Sequence, residues 1–132
     1  MIPTLGRIDH IHVMVADRAA AEGWYARVFG MRRIEELAFW AEGGGPLTLA
    51  SAEGVIHLAL FERPRQPNRA TIAIGVTAPQ FLAWRKHLQA ELGAEPKLED
   101  HALSWSMYFS DPDGNPYEIT TYDHAQCKAL LA

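Results

Sequence analysis

The sequence consists of two halves that repeat one pattern. An offset of 61 positions (71 − 10) aligns His10 with Thr71, Val15 with Val76 and His57 with Glu118, and it places Trp24 next to Trp84. The first and last strands that we predict in each half therefore align together. Because an internal repeat marks a structural unit that recurs along the chain, this feature constrains the fold more than any single motif.

The first half reads β-α-β-β-β. Residues Ile8 to Val15 alternate, with Ile11, Val13 and Val15 on one face and His10, His12 and Met14 on the other. Asp17 is a predicted N-cap for a helix over "RAAAEGWYARVF" that ends at Gly30. Turns rich in glycine separate three further predicted strands, Arg33–Trp40, Leu47–Ala50 and Val55–Phe61.

The second half repeats this order. A strand over "TIAIGV" precedes a helix over "APQFLAWRKHLQAEL" that ends at Gly93. Three predicted strands follow: Pro96–Glu99, Ser104–Phe109 and Tyr117–Tyr122. The connection between the halves, Glu62 to Ala70, contains prolines that interrupt both strand and helix patterns.

Composition and net charge limit the classes of function that this chain can have. With 132 residues and 48% hydrophobic residues, the chain can fill the core of one compact domain. The net charge of −4 argues against nucleic acid, so a small-molecule or protein partner is expected. No apolar run approaches the ~20 residues of a membrane span, and the expected location is the cytoplasm. The single cysteine, Cys127, excludes an intrachain disulfide.

The stretch "SDPDGNPYEITTYD" predicts a tight turn followed by a strand. Asp113 and Gly114 suit a hairpin-type turn because Gly114 can adopt positive φ without a Cβ penalty. The turn would set the register of Glu118, which shares one strand face with Thr120 and Tyr122. A carboxylate buried there requires an ionic partner or a metal.

The segments "IDHIHVMVAD", "WYARVFG" and "YFSDPDGNPYEIT" resemble the vicinal oxygen chelate superfamily, which includes glyoxalase I, fosfomycin and bleomycin resistance proteins and extradiol dioxygenases. The resemblance covers nearly the whole chain. It implies an α+β fold of two βαβββ modules that form cupped mixed sheets. Residues 1–132 would form one domain, with module 1 at about 6–62, module 2 at about 69–123 and a short C-terminal tail.

The resemblance also implies a divalent metal site. The family's ligands come from the first and last strands of the modules, which indicates His10, His57 and Glu118 as ligands. Two imidazoles and one carboxylate suit Fe(II), and Mn(II), Zn(II) or Ni(II) could occupy the same set. Thr71 departs from the family pattern, in which many active relatives have a histidine at this position.

Extradiol dioxygenases provide a second resemblance. Their order of motif residues matches His101, Tyr108, Pro112, Gly114 and Glu118, which implies acid–base or hydrogen-bonding roles for His101 and Tyr108. His12 is a candidate for a substrate contact or for supporting a ligand. The other candidate substrate-binding residues are Thr71, Trp40, Phe61 and Trp105.

These implications favour a metal-dependent enzyme acting on a small substrate that chelates through two neighbouring oxygens. Extradiol-type oxygenation is the preferred reaction, and a glyoxalase-type lyase or isomerase is the alternative. A metal-free ligand-binding protein of the bleomycin-resistance kind is the rival, which Thr71 favours. A homodimer is expected, in which His10 and His57 of one chain could join Thr71 and Glu118 of the other.

Overall fold

The structure is a computed structural model that describes residues 1–64 and 66–132. Within the predicted connection from Glu62 to Ala70, Arg65 lies outside the described residues. The chain divides into two compact units, Met1–Gln66 and Pro67–Ala132. Among the residues described, no helix is long and apolar enough to cross a membrane.

The first unit contains an α-helix, a 3₁₀ helix and a mixed four-stranded sheet. Its elements are β1 (Ile11–Val15), α1 (Arg18–Phe29), β2 (Arg32–Arg33), a 3₁₀ helix (Glu35–Gly43), β3 (Leu47–Ala50) and β4 (His57–Glu62). The strand order is β1-β4-β3-β2, with β1 parallel to β4 and the other pairs antiparallel. The predicted helix is confirmed: the Asp17 side chain caps it, and Gly30 ends it at φ 67°.

The predicted strand Arg33–Trp40 is wrong. Only Arg32 and Arg33 pair with β3, and the chain then turns into the 3₁₀ helix. The guanidinium of Arg18 donates to the carbonyl oxygen of Ala41 (3.0 Å), in the last turn of the 3₁₀ helix, and to that of Gly45 (2.9 Å), just beyond its end. This tertiary contact, made by a residue of α1, stabilises a 3₁₀ segment of unusual length.

The second unit repeats the arrangement and adds a C-terminal helix. Its elements are β5 (Ile72–Gly75), α2 (Ala78–Leu92), β6 (Lys97–Asp100), β7 (Trp105–Ser110), β8 (Pro116–Thr121) and α3 (His124–Leu131). The strand order is β5-β8-β7-β6, with β5 parallel to β8. The predicted tail is therefore a helix, which contacts α2 and buries Cys127. Burial raises the pKa of the Cys127 thiol.

Strand register differs between the two sheets. Ile11 pairs with Leu58, whereas the aligned residue Ile72 pairs with Tyr117 and not with Ile119, as a constant offset of 61 would require. If β5 is aligned residue by residue with β1, the residue of β4 that corresponds to Glu118 is Ala59. The residue of β8 that corresponds to His57 is Pro116. The predicted alignment of His57 with Glu118 is wrong, because the last strand of the second unit is shifted by two residues.

Candidate functional site

One face of the first sheet carries three histidines. His12 lies on the face of β1 opposite the buried Val13 and Val15, as the alternation predicts. Its register partner is Ala59, and His57 and Phe61 flank Ala59 on the same side of β4. We call this surface the histidine face; it comprises His10, His12, Thr48, His57, Ala59 and Phe61.

His10 has defined partners at both ring nitrogens. Nδ1 lies 2.8 Å from Asp9 Oδ2, and since a carboxylate accepts, Nδ1 carries the proton of a neutral ring. This hydrogen bond holds the pKa of Asp9 below its ordinary value. Nε2 of His10 lies 3.1 Å from Nε2 of His12, and the two rings stack at 5.1 Å. The orientation leaves a lone pair on His10 Nε2, as a metal ligand requires.

The other two histidines of the face have different surroundings. The His12 ring packs against Phe61 at a centroid distance of 4.7 Å. His57 Nε2 lies 2.9 Å from the carbonyl oxygen of Gly54, in the turn that joins β3 to β4. Because a carbonyl accepts, His57 Nε2 carries its proton, and in this conformation Nδ1 is the nitrogen that could bind a cation.

A cavity of about 110 Å³ opens on the histidine face. It is lined by Asp9, His10, Leu37, Trp40, Pro46, Thr48, His57 and Ala59. Trp40 reaches it from the 3₁₀ helix and is 45% exposed. The first unit therefore brings together five of the residues indicated by the sequence: His10, His12, Trp40, His57 and Phe61.

The second sheet carries Glu118 on a polar face. Ser106 is fully buried and its Oγ donates a hydrogen bond of 2.7 Å to Glu118 Oε2. Thr120 Oγ1 lies 3.0 Å from the same Ser106 Oγ and donates to the carbonyl oxygen of Trp105. We call this surface the glutamate face; it comprises Ser106, Tyr108, Glu118 and Thr120. One oxygen of Glu118 is thus oriented by protein, while the other accepts no hydrogen bond from any described residue.

Tyr108 lies directly opposite Glu118 in the antiparallel pair of β7 and β8. Its hydroxyl is 2.9 Å from His101 Nε2, and the two rings meet edge to face. His101 lies in the hairpin loop between β6 and β7, where Ala102 adopts a φ of 70°. The loop thus holds an imidazole against a phenol on the glutamate face.

The turn before β8 is built around Asp111, which is buried. Its Oδ1 accepts from the backbone N–H groups of Asp113 (2.9 Å) and Asn115 (2.8 Å), and its Oδ2 accepts from Asn115 Nδ2. Gly114 has a φ of 87°, as predicted. These bonds determine where β8 begins and therefore where Glu118 lies.

The structure places the two remaining residues indicated by the sequence, Trp105 and Thr71, differently. Trp105 is on the opposite side of β7 from Ser106 and Tyr108, where it stacks on His124 at 5.8 Å. The structure therefore does not bring Trp105 to the glutamate face. Thr71 is exposed and directly precedes β5, as His10 directly precedes β1.

Sequence reasoning missed Asp9 and Ser106. Ser106 could have been identified from the period of two in β7, which places it on the side of Tyr108. Asp9 stands next to His10 in the sequence, but its orientation toward Nδ1 depends on the local backbone. A second cavity, of about 450 Å³, lies beside α1 and contains the Glu22–Arg33 ion pair, away from the histidines.

The donor chemistry on the two faces fits a divalent cation. An imidazole oriented by a carboxylate and a carboxylate oriented by a hydroxyl are typical of metal ligands with supporting partners. Within residues 1–64 and 66–132, no three His, Cys, Asp or Glu side chains lie close enough together to hold an ion.

Comparisons with known proteins agree with this architecture. The chain is 25% identical to a glyoxalase family protein from Bacillus anthracis, covering 92% of this chain and 99% of that one with a TM-score of 0.65. The fosfomycin resistance protein FosX from Listeria monocytogenes, solved with Mn(II) and sulfate, is 16% identical over 100% of both chains, with a TM-score of 0.63.

A glyoxalase/dioxygenase from Nostoc punctiforme is 17% identical, with 92% of this chain and 98% of that one covered and a TM-score of 0.65. A search of curated proteins finds no match. The model of the Glyoxalase/Bleomycin resistance protein/Dioxygenase superfamily matches residues 7–119. The predicted α+β fold of two βαβββ modules is therefore confirmed, and the chain belongs to this superfamily.

Proposed function

We propose that this protein is a divalent-metal-dependent enzyme that acts on a small substrate chelated through two neighbouring oxygens, and that its reaction is extradiol-type cleavage of a catechol by dioxygen. The observation that carries the proposal is the position of Tyr108. It lies opposite the candidate ligand Glu118 and contacts His101 at 2.9 Å. An acid–base pair beside a ligand carboxylate suits a reaction that must deprotonate a chelating hydroxyl.

His10 and Glu118 would hold the cation, each already oriented by Asp9 or Ser106. The third donor expected from the sequence is His57, which in its present orientation would bind through Nδ1. When bound, the cation would polarise both substrate oxygens and stabilise negative charge on them. Fe(II) is the proposed metal, with Mn(II), Zn(II) or Ni(II) as possible occupants of the same donors.

Tyr108 and His101 would move the proton. With His101 Nε2 unprotonated, the Tyr108 hydroxyl donates to it, and the lone pairs of Tyr108 Oη can accept a proton from a substrate hydroxyl. As that proton arrives, Tyr108 passes its own proton to His101 Nε2. His101 is exposed, so it can exchange this proton with water.

The histidine face alone does not enclose a substrate. The cavity of about 110 Å³ on the histidine face is smaller than the roughly 300–1,000 Å³ of typical ligand sites. We propose that the complete site joins a histidine face to a glutamate face in a homodimer, so that each site draws on two chains. The proposed location remains the cytoplasm.

The test is elemental analysis of protein purified without oxygen, followed by reaction with catechols under limiting dioxygen. We expect close to one Fe per chain and a ring-opened product that has gained two oxygen atoms, measured by mass spectrometry. Glu118→Gln is the matched variant, because it should lose metal and activity while keeping the fold. Bound metal with isomerisation of 2-oxoaldehyde adducts instead of ring cleavage would replace the oxygenase with a glyoxalase-type enzyme.

Thr71 supports a second candidate, a metal-free ligand-binding protein. Its exposed hydroxyl occupies the position at the start of β5 that corresponds to His10 at the start of β1, and a hydroxyl is a weak ligand at neutral pH. Such a protein would bind aromatic or cationic molecules equally well before and after treatment with a chelator. Loss of ligand binding after chelation would exclude it.

A further inference from the structure

We propose that His12, and not His57, supplies the second imidazole of the metal site, so that His10 and His12 bind one divalent cation through their Nε2 atoms and Glu118 of the other chain of the proposed homodimer supplies the carboxylate. This inference rests on the proposed metal dependence of the protein. It assigns both nitrogen ligands to a single strand.

The separation of the two imidazoles matches that of ligands on one ion. His10 Nε2 and His12 Nε2 are 3.1 Å apart. Two nitrogen donors about 2.0–2.1 Å from a metal, at angles between roughly 90° and 110°, lie about 2.8–3.4 Å from each other. The two imidazole rings therefore need little rearrangement for both Nε2 atoms to bind one ion.

Both rings contact neighbouring side chains, and their Nε2 atoms lie within hydrogen-bonding distance of each other. Residues two apart on a strand project from the same face, which explains why His10 and His12 converge. Asp9 accepts the Nδ1 proton of His10, and Phe61 packs on the His12 ring. In the metal-free protein His12 Nε2–H donates to His10, and this proton must leave Nε2 when an ion binds.

His57 is occupied in a different role. Its Nε2 bonds to Gly54 O within the turn that joins β3 to β4, and that turn is also closed by a hydrogen bond from Ile56 N–H to Ser51 Oγ. The strand register gives the same result independently, since the counterpart of His57 in the second sheet is Pro116 and not Glu118. His57 therefore stabilises a turn at the end of the sheet.

This assignment accounts for Thr71, which stands where many active relatives have a histidine. The set of two imidazoles and one carboxylate stays complete without a histidine at the start of β5, because His12 replaces the missing nitrogen donor. Three protein ligands leave positions open for a chelating substrate.

The test is a Zn(II) titration of the full chain followed by long-range ¹H–¹⁵N NMR of the histidine rings. We expect the Nε2 resonances of His10 and His12 to move to the range of coordinated nitrogen while His57 keeps its Nε2–H resonance. His12→Asn should weaken Zn(II) binding by about 100-fold or more. His57→Asn tests the alternative ligand, and under this assignment it should bind Zn(II) as the wild type does. His87→Asn, on α2, is the matched control, and amide spectra will show whether each variant is folded.

The outcomes separate this inference from the proposed function. Coordination of His57 with an unchanged His12 resonance would overturn the inference while leaving the metal-dependent function in place. If Zn(II) and Fe(II) bind nowhere on the wild-type chain, the proposed function fails and the inference fails with it. Equal Zn(II) affinity of His12→Asn and the wild type would also overturn the assignment.

Discussion

Ser106 Oγ donates a 2.7 Å hydrogen bond to Glu118 Oε2 from the neighbouring strand, and Ser106 is completely buried. This bond orients one carboxylate oxygen and leaves the other available to a cation. We expect Ser106→Ala to weaken metal binding by about 10- to 100-fold, because the carboxylate loses its orientation. The measurement is a metal titration.

Ser110→Ala is the matched control, since Ser110 lies on the same strand but is exposed. It should leave metal affinity unchanged. Equal affinities of Ser106→Ala and the wild type would show that the hydroxyl does not support a ligand.

Removal of the Tyr108 hydroxyl should affect turnover and not metal content. Tyr108→Phe abolishes the 2.9 Å contact with His101, and loss of a positioned acid or base typically lowers rates by about 10²–10⁴-fold. Turnover at saturating substrate and metal per chain are measured together. Tyr122→Phe, at a tyrosine that is 79% exposed, is the control. Wild-type turnover in Tyr108→Phe would remove this residue from the reaction.

Mixing two inactive variants tests whether the site crosses between chains. A heterodimer of His10→Ala and Glu118→Gln chains has one intact site if each site combines the two faces of different chains. Random pairing of equal amounts then restores about one quarter of the wild-type metal sites. If both ligands of a site belong to one chain, mixing restores none. Metal content is measured after the chains have been refolded together.

The hydrogen bond between Asp100 Oδ1 and His124 Nε2, at 2.6 Å, joins the end of β6 to α3. This bond, together with one from Ala102 N–H, lowers the pKa of Asp100 from its ordinary value of 3.8. A lowered folded-state pKa means that ionised Asp100 stabilises the fold above about pH 4, and that this contribution disappears as the pH falls through the lower folded-state value.

Asp100→Asn should therefore lower the free energy of unfolding at pH 7, and the difference from the wild type should shrink and then vanish as the pH falls below the ordinary Asp pKa of 3.8. Urea unfolding at pH 7 and at a series of acidic pH values measures the effect. The exposed Glu91 provides the control, Glu91→Gln, which should match the wild type at pH 7. A difference for Asp100→Asn that persists unchanged at low pH would contradict this account.

Asp111 is 4% exposed and accepts three hydrogen bonds from the turn before β8. Asp111→Ala leaves buried N–H donors without partners, at about 1–3 kcal/mol for each unsatisfied group. We expect a loss of about 2–4 kcal/mol in the free energy of unfolding, together with weaker metal binding as Glu118 loses its register. Stability within about 0.5 kcal/mol of the wild type would show that the turn forms without this carboxylate.

Most helices and strands could be predicted from the sequence because their signals are local. Asp17 and Gly30 delimit α1, Gly93 ends α2, and the alternation around His12 identified the side of β1 that packs. The superfamily could be predicted for the same reason, since its motifs are short and contiguous in the chain.

Tertiary structure alone decided features that depend on contacts distant in sequence. The segment after Arg33 forms a 3₁₀ helix, and Arg18 binds carbonyl groups at and just beyond its C-terminal end, a contact that no local pattern encodes. The C-terminal segment is a helix that packs on α2 and buries Cys127.

Strand register shows most clearly which features the sequence determined and which only the tertiary structure determined. The sequence by itself determined the repeat, the two sheets and the presence of donors such as His10 and Glu118. It could not determine that β8 is shifted by two residues against β5, which pairs Glu118 with Ala73 and makes Ala59 its counterpart in the first sheet. Register depends on hydrogen bonds between strands and on the Asp111 turn, so only the folded sheet shows which donors occupy equivalent positions.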